Sequence, residues 1–445
     1  MRIAIISDIH LGDTMSVMAF RDKTTGEIKV GSKYDEFKEK VKTKFNKKTL
    51  DYLVLLGDIL DFSVSSYNEA YAIGKFFFQK LKDDKIAEEI IYVPGNHDFD
   101  LWHVVEYEVN VTNRLKKGKL PEPFRMSIPG IIDDRKGAPT EGFTLHNVTP
   151  RTVKNKPKYA GLFLDNITKP ATPFNFAYPN LYLVTGNESV LITHGQYLEM
   201  YWSVLGKWAL KIINGDLDIK DHKLLDLKEL AAINFPLSQF ACSGVGQAGP
   251  LTKVVQSLEH DIKEHDLSQI ETYIDRVGEE LSKNSGWFRK LLEGFAFRLV
   301  KKRTLKALGS MESARYRLEF FEDSKVSQRF KDFYNSTVYE IEEIKDKYGT
   351  EIPAPSHMIF GHTHQPIPWG SPKAPAIELP QLPKGKTFAM YNTGGWLNKM
   401  DENDQPRFCG AEIFFFETGE GLSSVSVGYD PKETLKSKKI RIIKI

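Results

Sequence analysis

The chain has 445 residues, 41% of them hydrophobic, so it can bury a sizeable core in two or three compact units. Its 61 basic and 59 acidic residues nearly cancel, which argues against general nucleic-acid binding. Two cysteines exclude a disulfide framework or a thiolate metal cage, and no segment approaches the roughly 20 apolar residues of a membrane-spanning helix, so we expect a cytoplasmic protein.

Three short apolar runs dominate the first hundred residues, at 3–6, 53–56 and 90–93. Near-continuous apolar runs of this length are typical of strands buried on both faces. The first run is too short for the apolar core of a secretory signal, so it predicts a structural strand. Stretches that favour helices separate the runs, at 34–48 and 69–85. This alternation predicts an α/β sheet, in which ligands bind at the carboxyl ends of the strands.

Each run leads directly into polar residues that can bind a metal ion or move a proton. Two later runs, at 190–192 and 358–360, end in the same way. Taken singly, such residues usually cap helices or complete hydrogen bonds, but five runs of one design predict a shared functional edge. In chain order the residues after the runs are Asp8 and His10, Asp58 and Asp61, Asn96 and His97, His194, and His362 with His364.

Two long segments interrupt this pattern. Residues 99–180 are rich in Pro, Gly, Asn and Lys, and we expect them to be loop-rich. Residues 201–351 show helical apolar periodicity, which predicts a helical insertion or lid between two parts of a core, 1–200 and 352–445. A GxGxxG match at 244–249 lacks the strands of a dinucleotide site, so we interpret it as a loop.

The C-terminal part has a different pattern. Apolar runs at 388–391, 413–416, 422–427 and 440–445 are joined by polar turns. This arrangement predicts a second, more antiparallel sheet packed on the first.

The chemistry of the predicted edge favours a dinuclear metal site. Seven of its residues form a nitrogen and oxygen donor set without sulfur, which suits Mn, Fe or Zn ions. Seven donors exceed the four of a tetrahedral ion, so two divalent ions would use them all if one carboxylate bridged. His97 could donate a proton to a leaving oxygen, and Asp61 could orient it. The seven are Asp8, His10, Asp58, Asn96, His194, His362 and His364.

The five motifs also occur in a familiar order. They are Asp8-x-His10, Gly57-Asp58-x-x-Asp61, Gly95-Asn96-His97-Asp98, Thr193-His194-Gly195 and Gly361-His362-x-His364. Over residues 1–100, 185–200 and 355–400 the chain therefore resembles the calcineurin-like metallophosphoesterases.

This resemblance implies a fold, a set of ligands and a reaction. The fold is an α/β four-layer αββα sandwich of two mixed β-sheets flanked by helices, here with a large helical insertion. One metal ion would take Asp8, His10 and His364, and the other Asn96, His194 and His362, with Asp58 bridging. A hydroxide held between the ions would attack phosphorus, while His97, paired with Asp61, assists the leaving group.

Within the family, residues 8–12 and 361–366 look most like the UDP-2,3-diacylglucosamine pyrophosphohydrolase branch. Those enzymes carry arginine where this chain has His97 and aspartate where it has Gln196. In protein phosphatases, the second motif continues with a phosphate-binding arginine, where this chain has Phe62. The resemblance implies a phosphodiester or pyrophosphate substrate, linked to a nucleotide or a lipid.

Two alternative functions remain open from the sequence, and so does the role of one segment of the insertion. A nuclease-type phosphodiesterase would use the same metals, and a non-catalytic scaffold would use the 201–351 insertion to dock a partner. The segment 287–303 has an apolar face beside basic residues; it fits an ordinary lid helix or a peripheral membrane contact.

Overall fold

The computed structural model describes residues 1–138, 140–147, 151–153, 156–198, 227–239, 268–269, 271–273, 275–276, 324–400, 405–408 and 410–430. The sequence features at 244–249, 287–303 and 440–445 lie outside the described residues. The chain divides into two compact units, one of Met1–Gln247 with Phe321–Ile445 and one of Ala248–Phe320. The elements named below belong to the first unit. The division of the core at residues 201 and 351 stays a prediction.

The described strands are short, with bounds as follows: β1 Arg2–Ile6, β2 Ala19–Arg21, β3 Ile28–Val30, β4 Leu50–Leu56, β5 Ala87–Val93, β6 Gly130–Asp133, β7 Gly142–Leu145, β8 Arg151–Val153, β9 Lys156–Lys158, β10 Phe174–Phe176, β11 Asn180–Thr185, β12 Glu188–Thr193, β13 His357–Phe360, β14 Ala376–Glu378, β15 Thr387–Asn392, β16 Asn398–Met400, β17 Pro406–Phe408, β18 Ala411–Glu417 and β19 Gly421–Val427.

The described helices are α1 Tyr34–Lys44, α2 Tyr67–Asp83, α3 Phe99–Tyr107, α4 Asn113–Leu115, α5 Leu162–Asp165, α6 Leu227–Gln239 and α7 Ser324–Tyr348. A π-helical turn, Glu108–Thr112, joins α3 to α4. A search of the described helices for a bilayer-spanning segment finds none.

The first sheet contains the three N-terminal apolar runs. Its strand order is β10-β5-β4-β1-β18-β19, with β1, β4 and β5 parallel and β18 antiparallel to β1. The buried runs have both faces covered, as their continuous apolar sequences predict. The predicted helix at 69–85 is α2, where Ser66 caps the first turn by accepting a hydrogen bond from the Glu69 amide.

The second sheet contains the two later runs. Its order is β14-β15-β13-β12-β11-β6-β7, and β12, β13 and β15 run parallel. The five runs are therefore divided between two sheets whose carboxyl ends meet at one edge.

The C-terminal strands differ from the prediction of a separate antiparallel sheet. The run at 388–391 becomes β15 and pairs in parallel with β13, while β18 and β19 extend the first sheet. The periodicity of a strand indicates that it is buried but not which neighbour it pairs with, so this partition depends on tertiary contacts.

The segment 99–180 also differs from the loop-rich expectation. It contains a helical run from α3 to α4 and strands that extend both sheets, β10 beside β5 and β6 beside β11. These strands are only three or four residues long, too short to show a period in the sequence.

Helices cover both outer faces and confirm the α/β class with two mixed sheets. On the first sheet, the Phe78 ring of α2 lies 5.3 Å from Phe174. On the second, Phe330 and Tyr334 of α7 both lie 5.1 Å from Phe388 of β15. The two sheets face each other between these layers, with the rings of Tyr52 and Phe143 6.0 Å apart.

Candidate metal centre

The carboxyl ends of five strands converge on one edge of the sandwich. Backbone hydrogen bonds join the loops, from the Asp8 amide to the Gly57 carbonyl at 3.0 Å and from the Gly361 amide to the His194 carbonyl at 2.9 Å. The edge therefore brings together residues separated by more than 350 positions in the chain.

Five of the seven predicted ligands have left-handed backbone conformations. Their φ angles lie between 51° and 66°. Non-glycine residues rarely adopt this region, and clusters of them are typical of functional sites where surrounding contacts hold the backbone. The five are Asp8, His10, Asp58, His362 and His364.

Two glycines lack the side chain that would otherwise occupy the space of the predicted ligands. A Cβ atom on Gly95 would lie 2.2 Å from Asp58 Oδ1 and 2.8 Å from His194 Nε2. A Cβ atom on Gly361 would lie 2.3 Å from Asp8 Oδ2. Any larger residue at either position would displace a predicted ligand.

The first donor cluster contains Asp8, His10 and His364, whose ligand atoms all lie within 4.8 Å of one another. His364 Nε2 is 3.2 Å from Asp8 Oδ1 and 3.3 Å from His10 Nε2. Two imidazole nitrogens and a carboxylate oxygen thus converge, which is a donor set that binds divalent transition ions.

The second cluster contains Asp58, His194 and His362, again within 4.8 Å. His194 Nε2 is 3.2 Å from Asp58 Oδ2 and 3.3 Å from the side-chain oxygen of Asn96. Asp58 Oδ2 is also 3.9 Å from His10 Nε2 in the first cluster. Asp58 is therefore the carboxylate placed between the two clusters.

Hydrogen bonds on the far ring nitrogens orient two of the histidines. His194 Nδ1 donates to the Leu56 carbonyl at 2.9 Å, and His10 Nδ1 donates to Asp61 Oδ2 at 2.8 Å. In the neutral form of both rings this leaves Nε2 as the atom with the lone pair that a metal ion needs.

Asp61 contacts His97 as well as His10. Its Oδ1 atom is 3.1 Å from His97 Nδ1, and the side chain of His97 is 26% exposed whereas that of Asp61 is buried. Ser63 Oγ donates to the same Oδ1 at 2.7 Å and lies 2.6 Å from His97 Nδ1. The structure thus brings both predicted catalytic residues to the edge of the clusters.

The charges of the site are strongly coupled. Burial disfavours a charged Asp58, but nearby His194, His97 and His10 outweigh it and hold the pKa of Asp58 well below its usual range. Burial likewise opposes protonation of His194, yet Asp58 and Asp8 raise its pKa to about 9. At His364 burial dominates and lowers the pKa to about 3. A divalent cation would displace the proton on His194, so binding releases protons.

Some residues that hold the site were not predicted. Buried Asp98 accepts hydrogen bonds from the amides of Gly95 and Ile59 at 2.7 and 2.8 Å, which ties the loops after β5 and β4 together. Asn392 donates to the Gly361 carbonyl at 2.7 Å. Asp98 stands next to His97 in the motif, and Asn392 lies in a segment, 391–396, that resembles the strand and turn after the last motif in the family, but no local pattern identifies Ser63.

The donors fit two divalent metal ions. Each cluster has imidazole and carboxylate donors in a buried setting, and Asp58 lies between them. Such buried, converging donors are costly without a cation to neutralise the carboxylates. The same donor set accommodates Mn, Fe or Zn.

A comparison with protein families agrees with this chemistry. The family model described as calcineurin-like phosphoesterase matches residues 1–223. No curated protein matches the chain. Among solved structures, a dimetal phosphatase from Danio rerio aligns at 8% identity, over 96% of this chain and 99% of that one, with a TM-score of 0.29. The chain belongs to the calcineurin-like phosphoesterase family and is a metal-dependent phosphoester hydrolase.

Proposed function

We propose that the protein hydrolyses a phosphodiester or pyrophosphate bond with two divalent metal ions, manganese being the expected activator in vitro. Asp8, His10 and His364 would hold one ion. Asn96, His194 and His362 would hold the other, with Asp58 between them. The observation that carries the proposal is the position of Asp58, 3.2 Å from a histidine of one cluster and 3.9 Å from a histidine of the other.

The chain's own residues supply the proton transfer. When bound, two divalent ions would activate a water molecule and neutralise charge on the phosphoryl group. His97 Nδ1 is engaged by Asp61 and Ser63, so Nε2 is the ring atom able to donate a proton to the leaving oxygen. Burial opposes ionisation of Asp61, but His97 and His10 outweigh it and lower its pKa, so Asp61 stays charged and accepts the hydrogen bond from His97 Nδ1.

The residue after Asp61 supports a diester or pyrophosphate over a monoester. Phe62 is buried and stacks on Tyr67 with ring centroids 4.4 Å apart, where protein phosphatases place a phosphate-binding arginine. A monoester dianion carries more charge than a diester and gains more from such a cation. We therefore propose a nucleotide- or lipid-linked diester or pyrophosphate, without assigning the diacylglucosamine substrate.

The proposal is tested by changing Asp58. We expect the wild type, purified without chelator, to contain close to two metal ions per chain by elemental analysis. In Asp58→Asn we expect this bound metal to be lost. Hydrolysis should fall by more than roughly 100-fold, because losing even a residue that only hydrogen-bonds to a metal ligand can cost that much. Asp35→Asn is the matched control, since that side chain is 75% exposed on α1. Retention of both metal and hydrolysis in Asp58→Asn would exclude the proposed site.

The substrate class needs a separate comparison. Hydrolysis of bis(p-nitrophenyl) phosphate and of p-nitrophenyl phosphate with added Mn²⁺ distinguishes a diesterase from a monoesterase. We expect the diester to have the higher kcat/KM, and a preference for the monoester would contradict the argument from Phe62.

A further inference from the structure

A strip of exposed apolar side chains runs along the helix that leaves the candidate metal centre. The helix begins at α3, two residues after His97, and continues through the π-helical turn to α4. Its inner face is buried, with Leu101, Trp102 and Val105 in the core. Its outer face carries Val104, 55% exposed Tyr107 and 56% exposed Leu115. Apolar residues on the solvent side of a helix do not contribute to the core, and a contiguous set of them rimmed by polar residues is typical of a contact surface.

The far end of this helix forms a compact projection, residues 115–120, which we call the 115–120 tip. Its backbone is closed by hydrogen bonds from the Gly118 amide to the Leu115 carbonyl and from the Lys119 amide to the Arg114 carbonyl, both at 3.0 Å. Arg114 Nε also donates to the Leu120 carbonyl at 2.7 Å. Leu120 is 82% exposed although its backbone is held, so the fold presents this side chain outward.

The tip is also strongly basic. Residues 114–120 include four basic side chains and no acidic one, in a chain whose total charge is nearly balanced. Arg114 pairs with Glu122 at 2.5 Å. Within the part of the chain that the structure describes, no ion pair involves Lys116, Lys117 or Lys119. Three exposed lysines therefore lie between two exposed leucines along this short segment.

We propose that the 115–120 tip docks on the surface of a bilayer that contains anionic lipids. The leucines would enter the boundary between headgroups and acyl chains, and the lysines would contact lipid phosphates. Nucleic acid is the less suitable partner. Its phosphate backbone would bind the lysines, but its bases stack on aromatic rings, so the exposed leucines would have no role in binding. The surface is separate from the metal centre and does not depend on which phosphoester that centre cleaves.

The full-length protein is tested by sedimentation with vesicles of phosphatidylcholine, with and without phosphatidylglycerol. We expect binding to the anionic vesicles, weakened by high salt, and none to phosphatidylcholine alone. The triple variant Lys116→Gln, Lys117→Gln, Lys119→Gln should bind roughly 100-fold more weakly. The double variant Leu115→Ser, Leu120→Ser should bind at least about tenfold more weakly.

Matched controls use exposed residues elsewhere. Lys23→Gln, Lys47→Gln, Lys48→Gln removes the same charge, and Tyr339→Ser removes an apolar group that is 50% exposed on α7. Both should bind as wild type does. Unchanged hydrolysis of bis(p-nitrophenyl) phosphate in all variants shows that they are folded and separates this proposal from that for the metal centre.

Four results would overturn the proposal. The first would be failure of the wild type to bind anionic vesicles, and the second would be a leucine variant that binds as well as the wild type. The third would be tighter binding to a single-stranded oligonucleotide than to vesicles, with only the lysine variant losing that binding. The fourth would be a wild type that is dimeric by light scattering and a leucine variant that is monomeric, which would assign the tip to a second copy.

Discussion

Asp61 has two histidine partners, whereas the sequence predicts one. Its two oxygens accept from His10 on one side and from His97 on the other, at 2.8 and 3.1 Å. A single carboxylate therefore orients both a proposed metal ligand and the proposed proton donor. Ser63 adds a contact on the His97 side alone.

Mutation can distinguish the role of Asp61 from that of Ser63. Asp61→Asn should weaken metal binding at the His10 cluster by 10- to 100-fold and also lower kcat, because both histidines lose their orienting carboxylate. Ser63→Ala should leave metal content unchanged and lower kcat by about tenfold or less. Elemental analysis and diester hydrolysis measure the two effects. Equal metal loss in both variants would assign Ser63 to the metal cluster.

The role of His97 is tested with leaving groups of different basicity. His97→Gln should reduce kcat by roughly 10²- to 10⁴-fold for an alkyl leaving group, which needs a proton as it departs. The loss should be much smaller for p-nitrophenolate, which departs without one. The metal content, which reports on folding of the centre, should stay at the wild-type value. Equal losses for the two leaving groups would indicate a structural role for His97.

Among the elements, α7 is anchored to the second sheet through one buried carboxyl group. Glu340 accepts a hydrogen bond from Tyr182 on β11 at 2.6 Å and another from Ser127. Burial raises the pKa of Glu340 to about 7, although these hydrogen bonds oppose the shift. The helix therefore packs most favourably on the sheet when Glu340 is protonated.

This packing predicts a pH-dependent stability. The folded state retains a proton on Glu340 up to about pH 7, whereas the unfolded chain loses it near pH 4.5. The stabilisation is thus complete below about pH 4.5 and is lost as the pH rises through 7, by on the order of 3 kcal/mol. Glu340→Gln removes the ionisation, so it should gain stability relative to wild type between pH 5 and pH 8.

Urea unfolding at the two pH values measures this difference. Glu342→Gln is the control, since it lies on the exposed side of the same helix and should follow the wild type. If the free energy of unfolding varies with pH in the same way for the wild type and Glu340→Gln, Glu340 is ionised in the folded protein. That result would contradict the predicted pH dependence.

At the scale of the whole molecule, each proposed metal ion would join the two sheets. Asp8, His10, Asp58 and Asn96 follow strands of the first sheet, whereas His194, His362 and His364 follow strands of the second. Each cluster draws ligands from both sheets, so bound metal would hold the two halves of the sandwich together at this edge.

Metal removal should therefore lower the stability of the fold. At a free metal concentration 1,000 times the Kd, binding to the folded state contributes about 4 kcal/mol. We expect chelator to lower Tm by several degrees and added Mn²⁺ to restore it, measured by calorimetry. Asp58→Asn should show little of this shift. A wild-type Tm that is the same with chelator and with Mn²⁺ would contradict a metal site shared between the sheets.

The five apolar strands and the chemical types of the candidate ligands could be predicted from the sequence alone. The runs that precede Asp8, Asp58 and His194 are buried strands as predicted, because burial on both faces requires continuous apolar residues. The convergence of the candidate ligands was also predictable, since a parallel strand delivers its next residues to one edge of the sheet. These are local consequences of chain geometry.

Tertiary contacts determine which strands become neighbours and which residues support the candidate ligands. The C-terminal runs were divided between both sheets, and Asp61 acquired a second histidine, through contacts between positions far apart in sequence. The exposed leucines of the 115–120 tip could not be recognised from sequence either, because a leucine in the core and one on the surface are the same letter. Periodicity records which face of an element is apolar, but only packing determines what covers that face.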